Sequence, residues 1–182
     1  QIDDQILNRT LVIDAEGQIQ TSYDKIHLFD VDLASGESYR ESALFDAGTH
    51  PQLTQINDWS VGLSICFDLR FPSLYRHYAL AGAELIVVPA AFTKTTGEAH
   101  WDTLLRARAI ENGCFVAAAG HCGVTQEGRE TYGHSVVYDP WGLCLGKLDD
   151  SPGVLTIDMD RSKVETVRAS VPVMSQHRDF RA

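Results

Sequence analysis

The sequence contains no CxxC pair, although it has four cysteines. They stand far apart, at Cys66, Cys114, Cys122 and Cys144. This spacing argues against a redox dithiol, which needs two neighbouring thiols, so a thiol redox protein has almost no support. It also argues against a structural zinc site, because no quartet of ligands with usable spacing occurs. The sequence therefore predicts no bound metal.

Basic stripes and long apolar runs are also missing. The 182 residues carry 25 acidic against 15 basic side chains, a formal net charge of −10. No basic stripe could follow a phosphate backbone, which argues against nucleic acid as a partner. The longest apolar runs, 85–88 and 114–119, are strand-sized and far short of a membrane span. No basic-then-apolar leader is present, so we expect a cytoplasmic protein without membrane contact.

The pattern of apolar residues predicts a single domain over residues 1–182. No internal repeat, low-complexity run or linker divides the chain, and 44% hydrophobic residues suffice for a core. In chain order we expect a hairpin at 10–23, an irregular loop at 30–58, a strand ending at Cys66, a helix at 72–82, a strand at 85–89, a loop at 91–98, a helix at 99–112, a strand at 114–119, antiparallel strands at 135–138, 142–146 and 154–157, and a helix at 162–169. Strand–helix–strand–helix–strand predicts right-handed crossovers and a central, mainly parallel sheet.

Cys66 is the most informative residue, because it follows directly on a predicted buried strand. Val61, Leu63 and Ile65 alternate with smaller residues, which is the period of a strand, and Pro72 fits the first turn of a helix. A thiol at such a strand-to-helix elbow has free backbone N–H groups beside it, which can lower its pKa and hold an oxyanion. The alternative is a buried cysteine that only fills space.

Other candidate residues collect where strands end, as ligand-binding residues do in α/β folds. Lys25 closes the second hairpin strand, and Phe92 and Thr93 follow a predicted strand. Glu41 lies in the long loop, and His100 stands at the start of a predicted helix. Each has a structural alternative, such as solvation for Lys25 or capping and packing for His100. The residues alone do not show that these side chains meet.

Several separate blocks resemble the nitrilase, or carbon–nitrogen hydrolase, superfamily. They lie in order along the chain, at 23–30, 40–42, 65–72, 97–101, 104–112, 132–135 and 139–142. Within the superfamily they most resemble the Nit branch, whose members hydrolyse ω-amides of small carboxylates. The runs 105–108 and 119–123 are similar to enzymes that act on deaminated glutathione rather than on ketoglutaramate.

The resemblance implies an α/β fold, the nitrilase-like α-β-β-α sandwich with two mixed sheets, incomplete at the N-terminus. It also implies a catalytic set. Cys66 is the expected nucleophile. Lys25, together with the backbone N–H of Phe67, is expected to stabilise the oxyanion, and Glu41 matches a second, supporting Glu that holds Lys25. No cofactor is needed.

The substrate contacts are expected from Phe92, Thr93 and His100. The sequence leaves two possible partners for Arg70 open, a carboxylate of the substrate and the nearby Asp68.

The implied reaction is hydrolysis of the amide of a small ω-amido carboxylate of the deaminated-glutathione type, through a Cys thioester and with release of ammonia. A ketoglutaramate-type ω-amidase is the alternative within the same chemistry. From another class, a catalytically inactive chain that acts by association stays open, because members of the superfamily commonly pair through helices beside the active site. The expected partners are a small-molecule amide and a second copy of the chain, in a homodimer.

One block of the family pattern has no counterpart in these residues. The general-base Glu of the family lies in a segment before the strand at which this sequence opens, and Glu16, in a hairpin turn, is a poor substitute. We therefore expect a chain truncated at its N-terminus, which holds the nucleophile without its base, turns over little and has reduced stability.

Overall fold

The computed structural model describes residues 5–34, 36–125, 128–176 and 178. In chain order its elements are β1 (Arg9–Ile13), β2 (Ile19–Asp24), β3 (Asp30–Asp32), β4 (Ser38–Arg40), β5 (Gln52–Ile56), β6 (Trp59–Leu63), α1 (Pro72–Leu80), β7 (Leu85–Ala90), α2 (Lys94–Asn112), β8 (Phe115–Gly120), β9 (Cys122–Val124), β10 (Glu130–Tyr132), β11 (Val136–Tyr138), β12 (Cys144–Lys147) and α3 (Ser162–Ser170). Short 3-10 turns span Glu41–Ala43 and Cys66–Arg70.

A six-stranded mixed sheet forms the centre of the fold, with the strand order β12-β11-β8-β7-β6-β5. β6, β7 and β8 are parallel neighbours, and the outer strands join them antiparallel. The helices α1 and α2 make the two crossovers between the parallel strands. The predicted parallel centre is thus confirmed. In the described residues, β1–β2, β3–β4 and β9–β10 form separate two-stranded ladders.

Alternate residues of the parallel strands supply two hydrophobic clusters, one on each face of the sheet. Ile86 and Val116 pack with buried side chains of α1 and α2. Leu85 and Phe115 point to the opposite face, where they pack with Tyr23 of β2. Full burial of an aliphatic or aromatic side chain contributes roughly 1.5–3 kcal/mol, so both faces stabilise the sheet. The β1–β2 hairpin is therefore held against the central sheet, close to the end of β6.

The stretch at 30–58, predicted to be irregular, contains β3, β4 and β5, so that prediction is wrong. β3 and β4 pair antiparallel, and β5 forms an edge of the central sheet through its ladder with β6. β5 shows no clear hydrophobic alternation because an edge strand is partly exposed and is ordered by backbone hydrogen bonds to its neighbour.

The strand predicted at 154–157 is absent from the structure. Its side chains still cover β12, since a Cβ placed on Gly146 would lie 2.7 Å from Ile157 Cδ1 and 2.9 Å from Leu155 Cδ1. The apolar alternation in this segment therefore reflects side-chain burial on β12 rather than a backbone ladder.

The helix predicted to begin at residue 99 begins at Lys94. Thr93 caps it, because the Thr93 hydroxyl accepts a hydrogen bond from the Thr96 N–H at 3.3 Å. Gly97 lies in the early part of this helix, where glycine costs about 1 kcal/mol relative to alanine. A Cβ at Gly97 would come within 2.3 Å of Tyr132 Cβ, so the packing of β10 on the helix requires glycine. That packing is invisible in the sequence, where 91–98 has the composition of a loop.

Candidate active site

Cys66 lies at a sharp bend between β6 and α1. The preceding Ile65 is extended, whereas Cys66 has a left-handed φ of +51°. This conformation costs a residue with a Cβ roughly 1–2 kcal/mol, so the surroundings must hold it. The first hydrogen bond of the following turn runs from the Asp68 N–H to the Ile65 carbonyl at 3.1 Å. The backbone N–H of Phe67 is not the donor of this hydrogen bond. It belongs to the residue directly after Cys66, at the start of the turn, where backbone N–H groups lack partners within the turn.

A buried carboxylate, that of Asp68, holds this bend in place. Its Oδ2 accepts hydrogen bonds from the Ile65 N–H at 2.9 Å and from the Tyr23 hydroxyl at 2.7 Å. Its Oδ1 accepts from the His27 N–H at 3.0 Å and lies 2.7 Å from His27 Nδ1. Burial, reinforced by the charge of Asp68, raises the pKa of Tyr23, so the hydroxyl stays a donor. Asp68 thus joins the turn at Cys66 to the segment that carries Lys25.

Lys25 is buried, with 2% of its surface exposed, and its charge is matched by Glu41. Lys25 Nζ donates to Glu41 Oε2 at 2.5 Å, and the same oxygen accepts from the Phe29 N–H at 2.6 Å. Glu41 Oε1 accepts from Asn8 Nδ2 at 3.1 Å. Because a buried ion pair is tolerated only when its hydrogen bonds are satisfied, these contacts keep the lysine head in one position.

The surroundings of Cys66 raise the pKa of its thiol above the usual value of 9.0. Burial is the largest cause, and the charges of Glu41 and Asp68 act in the same direction. The Lys25 ammonium and a hydrogen bond from the Ala91 backbone lower the pKa, but burial outweighs them. The resting thiol is therefore protonated at neutral pH, in contrast to the lowered pKa that the sequence suggested for an elbow cysteine.

Cys66, Lys25 and Glu41 line one open cavity of about 560 Å³. A cavity of this size suits a small organic ligand. Thr93 lines both this cavity and a smaller pocket beside the thiol, and Phe92 lines the smaller pocket. Phe67, whose backbone N–H is the second expected oxyanion donor, also lines the smaller pocket. The structure therefore brings together six of the residues selected from the sequence.

His100 is the exception, because it is exposed on α2 and does not line either pocket. Its Nδ1 lies 3.2 Å from Arg70 Nη1, a distance at which the imidazole nitrogen can accept a hydrogen bond from the guanidinium. Arg70 lines the smaller pocket, with Cζ 5.3 Å from the centre of the Phe92 ring. Asp68 does not pair with Arg70, since its oxygens are used by other donors. No carboxylate in the described ranges forms a salt bridge with Arg70, which leaves it available to a ligand.

Sequence reasoning missed most of the outer part of the cavity. Its lining there includes Phe29, Tyr39, Arg40, Arg129 and Glu130. Two of these, Phe29 and Arg40, lie inside blocks that carried the family resemblance, so a signal was present. Nothing in the sequence linked Tyr39 to Arg129, because their contact joins segments far apart in the chain.

The described part of the chain contains neither a cluster of metal-binding side chains nor a helix that could span a membrane. No group of three or more His, Cys, Asp or Glu side chains is placed there to hold an ion. Each helix there is too short or too polar to cross a membrane.

Residues 2–169 match the family described as carbon-nitrogen hydrolase. The deaminated glutathione amidase of Yersinia enterocolitica is 42% identical over 176 residues, which make up 96% of this chain and 62% of that protein. The deaminated glutathione amidase of Mus musculus is 41% identical over 174 residues, 95% of this chain and 54% of that protein.

Solved structures are similar over nearly the whole chain. The Caenorhabditis elegans NitFhit protein has a TM-score of 0.85 at 40% identity, covering 96% of this chain and 42% of that one. Saccharomyces cerevisiae Nit3, a member of branch 10 of the nitrilase superfamily, has a TM-score of 0.85 at 29% identity, covering 95% and 60%. An amidase from Nesterenkonia sp. AN1, with acrylamide added at its active site cysteine, has a TM-score of 0.73 at 32% identity, covering 90% and 61%. The chain thus spans between 42% and 62% of the length of these relatives.

The raised thiol pKa predicts a steep pH dependence of Cys66 alkylation. We expect the rate with iodoacetamide, followed by mass spectrometry of the Cys66 peptide, to rise about tenfold per pH unit from 7 to 9, because only the thiolate reacts. Lys25→Met should move the profile to still higher pH, since the ammonium lowers the thiol pKa. The exposed Cys144 is an internal reference for the reagent. A rate that levels off below pH 8 contradicts the prediction.

Asp68→Asn should destabilise the fold although it changes only one atom of the side chain. An amide NH2 would face donors in a fully buried site, and we expect a loss of about 2–4 kcal/mol in the free energy of unfolding measured with urea. Asp102→Asn is the matched control, because Asp102 also accepts from a tyrosine hydroxyl, that of Tyr138, but is 39% exposed in its side chain. Equal effects of the two substitutions would show that Asp68 has no special structural role.

Proposed function

The chain belongs to the carbon–nitrogen hydrolase family, and we propose that it is an amidase with Cys66 as its nucleophile. The observation that supports this most directly is the cavity in which Cys66 meets Lys25 and Glu41. Amidases are among its relatives, and the residue modified in the Nesterenkonia enzyme is a cysteine. The family resemblance and the nitrilase-like fold class inferred from the sequence are confirmed by the family match and by the similar structures.

In the proposed reaction, Cys66 Sγ attacks the amide carbon while the carbonyl π electrons move to oxygen. The Lys25 ammonium and the Phe67 N–H stabilise the resulting oxyanion. Collapse of the tetrahedral intermediate breaks the C–N bond and expels the amine, which takes up a proton. Water then cleaves the thioester, which releases the carboxylic acid and restores the thiol. Glu41 acts through Lys25, whose position it fixes.

The thiol proton needs an acceptor, and the described residues offer a poor one. Two carboxylates in the described part line the larger cavity, those of Glu41 and Glu130. Glu41 accepts hydrogen bonds at both oxygens, and Glu130 forms an ion pair with Lys94 at 2.8 Å. We infer slow turnover, because the thiol is protonated at rest and, among the residues that the structure describes, no free carboxylate lines the larger cavity.

The leaving group distinguishes the substrates considered for this site. Deaminated glutathione names several relatives, and we propose that the amide cleaved in it is the one whose nitrogen belongs to the cysteinylglycine part. Hydrolysis therefore gives a 2-oxo diacid and the dipeptide, and ammonia is released only from a primary amide such as ketoglutaramate. We propose deaminated glutathione as the substrate and the dipeptide, rather than ammonia, as the product that leaves first.

Arg70 is the proposed partner of the carboxylate on the acyl side of the substrate. It lines the smaller pocket beside Cys66, between the aromatic rings of Phe67 and Phe92. Burial lowers the pKa of Arg70, while the nearby Cys66 acts in the opposite direction. A guanidinium in this place can bind a carboxylate through two parallel hydrogen bonds. His100, which accepts from Arg70, would then position the guanidinium rather than contact the substrate.

The amidase proposal is tested by following 2-oxo acid release from deaminated glutathione. Cys66→Ala should abolish turnover, and Lys25→Met should lower kcat by about 10²–10³-fold, as expected for loss of one oxyanion donor. Cys122→Ser is the matched control and should keep activity, because Cys122 does not line the cavity. The assay is run on the 182-residue chain, in which we expect slow turnover. Turnover by Cys66→Ala would overturn the proposed nucleophile, and silence of every form would favour an inactive chain that acts by association.

We also propose that the chain forms a homodimer through an exposed apolar patch. The patch comprises Ile110 of α2 with Trp141 and Leu143 of the β11–β12 turn, which are 47%, 63% and 57% exposed. The turn contacts Ile110, because a Cβ on Gly142 would lie 2.6 Å from Ile110 Cδ1. Apolar groups clustered in this way are typical of an interface.

Ile110→Asp should convert the dimer to a monomer in light scattering coupled to size exclusion, since it buries a charge in the proposed interface. Val154→Asp is the control, because Val154 is apolar and 90% exposed but lies in another segment. A wild-type chain that is monomeric at micromolar concentration would refute the dimer.

The state of the four cysteines supports a location in a reducing compartment. All four cysteines are free in the structure. Because exposed thiols such as Cys144 persist where glutathione keeps them reduced, we propose the cytoplasm as the location.

A further inference from the structure

The cavity at Cys66 extends to an outer rim that the catalytic residues do not use. Tyr39, Arg40, Arg129 and Glu130 belong to this rim and line the same cavity as Cys66. They come from two distant segments of the chain, one at β4 and one between β9 and β10.

Two of the three charged rim residues are already neutralised. Arg40 Nη2 forms a bidentate contact with Asp32, at 2.8 and 2.9 Å. Glu130 pairs with Lys94 at 2.8 Å. Arg129 forms no salt bridge with any carboxylate in the described ranges. It is therefore the cation of the rim that can accept an anionic ligand.

Aromatic contacts orient Arg129 toward the cavity although it is exposed. Its guanidinium carbon lies 4.9 Å from the centre of the Tyr39 ring. The Tyr39 ring packs at 5.0 Å on Phe29, whose ring packs at 5.1 Å on Phe67 beside the nucleophile. A continuous aromatic wall thus connects Arg129 to the oxyanion site. Cation–π contact restricts the guanidinium and leaves its N–H edge free for hydrogen bonds.

We propose that Arg129, held on Tyr39, binds the terminal carboxylate of the leaving group. This inference rests on the proposed amidase function and specifies its substrate class, amides whose amine component is a peptide with a free C-terminus. Arg70 lies on the acyl side of Cys66 and Arg129 on the outer rim, so the two guanidinium groups can hold a substrate with a carboxylate at each end. Ketoglutaramate, which has no group to reach the rim, would use only Arg70.

Binding to a Cys66→Ser chain tests this without turnover. Two ligands are compared by calorimetry: deaminated glutathione, with its free glycine carboxylate, and the same molecule with a C-terminal carboxamide. Arg129→Gln should weaken the carboxylate ligand about tenfold and leave the carboxamide ligand within twofold, because only the former loses a charge-assisted bond. Arg129→Lys should retain part of the difference. Arg40→Gln is the matched control and should leave both ligands within twofold, since Asp32 already engages that guanidinium.

Each other result overturns the inference. If Arg129→Gln weakens both ligands equally, the residue only packs the rim, and if it weakens neither, or if neither ligand binds the parent, there is no carboxylate subsite there. Failure of the amidase proposal is seen separately, as absence of turnover in the chain with Cys66 intact. Selective loss of the carboxylate ligand would support the rim subsite even in that case.

Discussion

The carboxylate of Asp68 is the constraint on which the site depends. It accepts hydrogen bonds from the turn that holds Cys66 in a left-handed conformation and from Tyr23 and His27 on either side of Lys25. Cys66 follows a parallel strand of the central sheet, and Lys25 follows the second strand of a separate hairpin. Hydrophobic packing brings these elements together but has no direction, whereas a carboxylate with several fixed donors sets their relative position.

The electrostatics of the site follow from the same burial. Lys25 is buried against Glu41, which is itself held by hydrogen bonds from Phe29 and Asn8. The pair is nearly neutral as a whole, so it cannot by itself overcome the burial that keeps the Cys66 thiol protonated. In such an arrangement, the Lys25 ammonium stabilises negative charge that develops on the substrate during attack more than it stabilises a resting Cys66 thiolate. This fits a site whose lysine stabilises an oxyanion more than a thiolate.

Local patterns predicted the centre of the fold, because buried parallel strands and capped helices leave clear signals in the sequence. The strand before Cys66, the helix after Pro72 and the crossovers of the sheet are examples. Features that depend on distant contacts were not predictable: β5 is ordered by its ladder with β6, and the early start of α2 depends on the fit of Gly97 against Tyr132. Lys25, Glu41 and Cys66 were candidates from their places in the sequence and received catalytic roles by resemblance, whereas their meeting is a property of the fold. The contact of Arg129 with Tyr39 left no trace in the sequence.

A net charge of −10 disfavours the approach of the proposed substrate, which carries two carboxylates. At physiological ionic strength the Debye length is about 8 Å, so charges elsewhere on the surface are screened and those inside the cavity decide. Several charged residues that line the cavity already have a partner of opposite charge. Lys25 pairs with Glu41, Arg40 with Asp32, and Glu130 with Lys94. In the proposed binding mode, attraction for carboxylates comes from Arg70, which lines the smaller pocket, and from Arg129, which lines the larger cavity. Under this proposal, two separate cations favour substrates that carry two carboxylates, one in the acyl part and one in the leaving group, with the scissile amide at the thiol between them.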